Sequence, residues 1–159
     1  MNHTSRKFLK AIPVILILLT AFACPAFSED IQTLIRNAEG GDPKAQFNLG
    51  VAYYKGEGVP QDYAESMKWY RMAAEQGHAG AQCNLGTYYE DGQGVPQDYL
   101  LAYFWSSLAS KSNTCGSDNS RANYFYMDYA ANAARQLTPE QLMKAQQMIQ
   151  EWEAKHPRK

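Results

Sequence analysis

Apolar positions after residue 44 recur with a helical period. Ala45, Leu49 and Tyr53 stand four apart and predict one stripe of an amphipathic helix. Asp42 and Pro43 supply a capping side chain and a first-turn proline at its start. Gly56 and Gly58 end it, because glycine accepts the positive φ of a tight helix exit. Val59 and Pro60 lead to a second helix, in which Asp62 and Glu65 have capping-box spacing and Gly77 closes the run after Gln76. Its inward face is expected to carry Met67 or Ala64 with Tyr63, Trp69, Tyr70 and Ala73. Leu85, Tyr89, Gly92, Gly94, Pro96, Asp98, Trp105 and Ala109 then reproduce the pattern.

The reproduction is an internal repeat. GAQCNLGTYYEDGQGVPQDY, from Gly80 to Tyr99, restates KAQFNLGVAYYKGEGVPQDY, from Lys44 to Tyr63, at an offset of 36, and about 16 of 36 positions match across the full unit. Repeats of this size that consist of two helices stack into an α-solenoid. Ala45, Ala73, Ala81 and Ala109 would let helices approach closely, while Trp69 and Trp105 fill the space between pairs. Burial of each tryptophan removes roughly 200 Å² from water, worth several kcal/mol before costs. Recurrence at one repeat position favours this core role over a stacking platform for a sugar or base.

Both ends carry caps, as expected of a complete small domain. Ile31, Leu34 and Ile35 form a short apolar stripe that can cover the first repeat. Ser112 to Arg135 lacks the repeat signatures and predicts a degenerate third helix of the first kind, starting near Asp118, with Tyr124, Met127, Ala131 and Ala134 inward. Thr138, Pro139 and Gln141 start a last helix, whose Gln146, Gln147, Gln150, Glu151 and Lys155 give the polar outer face a terminal unit needs. The expected organisation is a leader at 1–28, a capping helix at 29–40, repeats at 41–76 and 77–112, the degenerate region at 113–136, a capping helix at 137–155 and a tail at 156–159.

Arg6, Lys7 and Lys10 precede an apolar run from Ala11 to Ala23, too short for the roughly 20 residues of a bilayer span. It predicts an export signal, with Ala26 and Ser28 as the small residues before a cut at Glu29 and a periplasmic or secreted product. The alternative is lipid attachment at Cys24 after Ala21, Phe22 and Ala23. Removal of 28 residues takes away three of 15 basic side chains and none of 16 acidic ones, leaving 12 − 16 = −4. That acidity argues against a nucleic-acid backbone as partner.

Two cysteines remain after the leader. Cys83 in the repeat and Cys115 before the next helix either form a disulfide in an oxidising compartment or stay as a buried thiol and a loop thiol. Without CxxC spacing, and with His78 and His156 as the remaining histidines, no metal site is expected. Neither histidine has a companion nucleophile, so no catalytic residue is predicted. The GxG pairs follow a helix rather than a strand, which makes them turns and not a phosphate cradle.

AQFNLGVAYYKGEGVPQDYAESMKWYRMAAEQG resembles the Sel-one-like repeat, a relative of the tetratricopeptide repeat with a longer turn, through its AxxxLGxxY, GxGVxxD and WYxxAAxxG segments in order. The likeness covers Gly41 to about Lys111, and QLTPEQLMKAQQMIQEW resembles the closing helix of small secreted members. It implies an all-α, tetratricopeptide-like superhelix that binds a protein or peptide without a cofactor, as an adaptor or assembly factor in the bacterial cell envelope. It further implies that the first helix of each repeat lines the concave side. Asn48 and Asn84, at one repeat position, with Tyr54, Tyr88 and Glu90 nearby, are then the candidate binding residues; the competing role for the asparagines is to tie repeats together. Other expectations left open are a secreted virulence-associated factor acting on host proteins, and a protein that binds cell-wall fragments or β-lactams.

Overall fold

The structure, a computed structural model, describes residues 25–111 and 121–157, with side chains from residue 30 and from residue 129 in the two segments. Regular structure among the described residues is all helical: α1 (Pro25–Glu39), α2 (Pro43–Lys55), α3 (Tyr63–Glu75), α4 (Ala79–Asp91), α5 (Tyr99–Ser110), α6 (Arg121–Gln136) and α7 (Pro139–Lys155). From α1 to α6 each helix packs on the next, and α4 also meets α6 while α5 meets α7. Neighbour contacts plus one level of stacking make an α-solenoid. The first helices of the units, α2, α4 and α6, form one row, and α3, α5 and α7 the other.

Side chains from the turns set the helix ends. Asp42 Oδ1 accepts from the Lys44 amide at 3.0 Å, and Asp62 Oδ1 accepts from the amides of Ala64 and Glu65 at 2.9 and 3.0 Å. Asp98 does the same for Leu100 and Leu101. The capping box expected at Asp62 is half made, since Glu65 turns to Lys68 at 3.1 Å instead of to the cap amide. At Thr138 the box is complete, with Gln141 reciprocating. Gly56 and Gly92 leave their helices at φ 72° and 70°. The rest of the long turn is held by groups that periodicity did not single out. Gln61 and Gln97 donate to the carbonyls of Tyr54 and Glu90, and the amides of Asp62 and Asp98 donate to those of Tyr53 and Tyr89. The PQD segment of the motif thus binds the chain back onto the helix it has just left.

Between helices the closest approaches fall on glycine. A Cβ at Gly50 would lie 2.7 Å from the Tyr70 ring and 3.2 Å from the Ser66 carbonyl oxygen, and one at Gly86 would lie 2.2 Å from Ser106 Oγ. Ala73, Ala81 and Ala109 are fully buried, as are Leu49 and Leu85, and Trp69 and Trp105 are core residues. Met67, not Ala64, faces inward; Tyr63 is 40 % exposed, contrary to expectation, because it sits in the first turn of α3 against the next repeat's loop at Gly94. Buried Gln46 and Gln82 donate to the carbonyls of Ala38 and Ala74, joining each first helix to the helix before it by the same bond.

Ile31, Leu34 and Ile35 pack against Leu49 and Trp69 as a cap. α1 begins at Pro25, ahead of the expected start at Glu29; residues 1–24, which hold most of the expected leader and Cys24, lie outside the described residues. α6 begins at Arg121, and Asp118, Cys115 and the side chains of Tyr124 and Met127 lie outside the described residues. Among its described side chains Ala133 is fully buried and Ala134 half-buried, while Ala131, expected inward, is exposed, because packing on α4 and α5 favours the neighbouring alanine of this alanine-rich stretch. The predicted polar face of α7 is exposed.

Replacement of Gly50 by alanine drives a methyl group into the Tyr70 ring and the Ser66 carbonyl, neither of which can yield inside the core. A destabilisation of about 1–3 kcal/mol is expected, measurable by urea denaturation.

Candidate functional site

The five residues singled out on the first-helix row fall into different environments. Tyr54, at the end of α2, is 40 % exposed, and its ring lies 5.6 Å from that of Tyr63 and 6.1 Å from that of Tyr88. Tyr63 receives a 3.3 Å hydrogen bond from Gln61 Nε2. Together Tyr54 and Tyr63 present an aromatic edge beside the long turns. Tyr88 does not share it: at 4 % exposure it belongs to the core, packed edge-on against Tyr70 at 5.8 Å. Its hydroxyl meets Ser66 Oγ at 3.0 Å, and Ser66 donates to the Gly50 carbonyl at 2.8 Å. Burial raises the Tyr88 phenol above its ordinary pKa, and burial with the neighbouring Tyr88 raises that of Tyr70.

Asn48 and Asn84, equivalent in sequence, are not equivalent in space. Asn84 is half-buried, near enough to the Tyr70 phenol of the preceding repeat for its amide to offset part of the rise in that phenol's pKa. Asn48 is exposed and lines an open groove of ≈ 320 Å³ between α1 and α2. Glu90, half-buried near the end of α4, has its pKa raised by burial and by Asp91 against the opposing hydrogen bond of Asn132 on α6. Its Oε2 is buried without a hydrogen-bond partner among the described residues.

Cys83 is buried at 1 % exposure and disulfide-bonded; Cys115, the partner expected from sequence, lies outside the described residues. Among the described residues no group of three or more His, Cys, Asp or Glu could hold a metal ion, and no helix is long and apolar enough to cross a membrane.

His78 is occupied structurally. Its Nδ1 caps α4 by accepting from the Ala81 amide at 3.2 Å, in the place where α2 has Asp42, and its ring stacks on Phe47 at 4.6 Å. This cap was not foreseen, because histidine is outside the usual capping set. His156 is exposed, stacked on Trp152 at 4.1 Å.

Residues 43–78 and 79–113 each match the Sel1 repeat. The chain carries two Sel1 repeats. Two solved structures share the arrangement. A protective antigen present in uropathogenic Escherichia coli strains, c5321, displaying an SLR fold, superimposes with a TM-score of 0.70 at 32 % identity, over 89 % of this chain and 28 % of that one. A Sel1 repeat protein from Oxalobacter formigenes gives 0.56 at 36 % identity, over 64 % of this chain and 28 % of the other. The chitin synthase regulator SKT5 of Saccharomyces cerevisiae is 43 % identical over 54 residues, which are 31 % of this chain and 8 % of that protein. The chain therefore spans little more than a quarter of either solved relative and less than a tenth of the yeast one. Sel1 repeats are typically protein–protein interaction units.

Two measurements follow from these environments. His78 is held below the ordinary histidine pKa, mainly by burial, with Lys44 adding to the shift and Asp42 opposing it. The folded state thus takes up this proton less readily than the unfolded chain. The stabilisation from neutral His78 is complete above about 6.5, the unfolded value, and is lost as pH falls through the folded one. Tm should drop from pH 7 to pH 5 in the wild type, and less steeply in His78→Asn, which keeps a capping acceptor without the titration. Separately, Asn84→Ala, at a half-buried position against the preceding repeat, should cost about 1 kcal/mol in denaturation, whereas Asn48→Ala, at an exposed one, should stay within about 0.5 kcal/mol of wild type.

Proposed function

We propose that this protein is a non-enzymatic scaffold or adaptor of the bacterial cell envelope, which is exported by its N-terminal leader and grips a partner protein or peptide along the α2–α4–α6 row. The supporting observation is the exposure of Tyr54 and Tyr63 as an aromatic edge beside the long turns, on a frame in which His78 and His156 are engaged in capping and stacking. Tyrosine supplies apolar contact area and a hydroxyl for little side-chain entropy, which is why it is enriched among energetically dominant interface residues. The leader, with three basic residues before its apolar run and small residues before Glu29, favours the periplasm or the exterior; lipid attachment at Cys24 would leave the scaffold on a membrane surface. A second reading, a secreted virulence-associated factor acting on host proteins, draws on the likeness to a protective antigen over 89 % of this chain.

Cross-linking in the native cell, followed by identification of the captured protein, tests the proposal. Tyr54→Ala should reduce capture at least tenfold, in line with the roughly 2 kcal/mol of an interface hot spot, while the fold is retained by circular dichroism. A bacterial envelope partner supports the adaptor and a host partner the second reading. Undiminished capture by Tyr54→Ala, or turnover of any substrate by the purified protein, would overturn the scaffold as drawn.

A further inference from the structure

The groove between α1 and α2 has a filled counterpart in the same molecule. The bond from Gln46 to the Ala38 carbonyl repeats the bond from Gln82 to the Ala74 carbonyl 36 positions on. α1 therefore stands to α2 as α3 stands to α4, and the two junctions compare residue by residue at that offset. At the α3–α4 junction the space is occupied by Tyr70 and Tyr88, packed edge to face, with the Tyr88 hydroxyl on Ser66 and Asn84 near the Tyr70 phenol. At the α1–α2 junction the residues in those places are Leu34 for Tyr70, Ala52 for Tyr88 and Asp30 for Ser66, with Asn48 for Asn84. Two aromatic side chains are replaced by short aliphatic ones. Leu34 and Ala52 both line the open groove of ≈ 320 Å³ at the first junction, with Asp30 and Asn48 at its wall.

We infer that this groove receives a tyrosine side chain from the partner polypeptide, which completes the first junction as Tyr70 and Tyr88 complete the second. The inference rests on the scaffold reading above and names the contact by which it operates. Ile31, Leu34, Val51 and Ala52 offer an apolar surface for the ring. Asp30 stands where Ser66 meets a phenol, and a carboxylate accepts from a phenolic hydroxyl more strongly than a serine does. The Asn48 amide, exposed at the wall, can donate to the same oxygen or to the peptide backbone. Glu57 adds a second carboxylate to the lining; its ion pair with Lys55, at 3.6 Å between well-exposed groups, is of the weak surface kind and leaves it accessible. A groove with two acid groups and no basic residue in its lining favours a neutral hydrogen-bond donor over a phosphorylated tyrosine or an acidic side chain.

The test uses p-cresol, the isolated tyrosine side chain, titrated into the full exported chain labelled at its methyl groups and followed by NMR, with toluene in parallel. Saturable shifts are expected at the Ile31, Leu34 and Val51 methyls, at least threefold tighter for p-cresol than for toluene. Leu34→Tyr installs the missing ring from within, and should abolish those shifts and raise Tm. Asp30→Asn and Asn48→Ala, both at exposed positions that leave the fold intact, should weaken p-cresol severalfold and bring it close to toluene, which keeps the test decisive if Leu34→Tyr fails to fold. Equal response to the two compounds, shifts away from the groove, or p-cresol binding unaffected by Asp30→Asn and Asn48→Ala would overturn the inference. The partner found by cross-linking separates the two claims. If it is retained by Asp30→Asn with Asn48→Ala but lost in Tyr54→Ala, the groove contact falls and the scaffold stands; if no partner is captured while the groove still selects p-cresol, the scaffold falls instead.

Discussion

The fold depends on helix backbones that can touch. Gly50 and Gly86 present bare backbone to the second helix of their own unit, and that contact lets Ser66 reach the Gly50 carbonyl and the Tyr70 ring lie on the glycine itself. Tyr70 then packs on Tyr88 of the next repeat, whose hydroxyl returns to Ser66. One close approach inside a repeat thereby sets the position of the next repeat. In a solenoid, where each unit meets only its neighbours, such junction contacts carry the coupling that a globular core spreads over many partners.

Polar side chains set the phase of this stack. Gln46 and Gln82 are buried and each joins its helix to a carbonyl of the preceding one, while Gln61 and Gln97 fold the long turn back on the helix before it. A buried amide needs a partner, so these bonds disfavour any sliding of one helix along another. Apolar packing supplies the attraction, and the glutamines decide the register.

Identity of sequence between repeats does not give identity of role, because each unit has a different neighbour. Asn84 looks back on α3 and lies near the Tyr70 phenol; Asn48 looks back on α1, finds Leu34 in that place and lines a groove. His78 replaces Asp42 as a cap and makes one helix start sensitive to protons. The first junction is consequently open and the second closed. Function in such a chain lies in the differences between copies as much as in the repeated frame.

Much of this was legible in the sequence, for reasons of local chemistry. The 36-residue offset, the capping aspartates, the glycines at positive φ, the buried tryptophans and the all-helical solenoid all follow from spacing along one helix or turn. What required the tertiary structure was every property that depends on a neighbour distant in the chain. Tyr88 belongs to the core and Tyr63 to the surface, and α6 buries Ala133 while Ala131 is exposed. Periodicity states that a helix has an inner face, but several alanines or tyrosines in a row satisfy more than one choice of that face. Only the volume and hydrogen-bonding groups offered by the adjacent helix select among them, and the same selection half-buried one asparagine and left the other exposed.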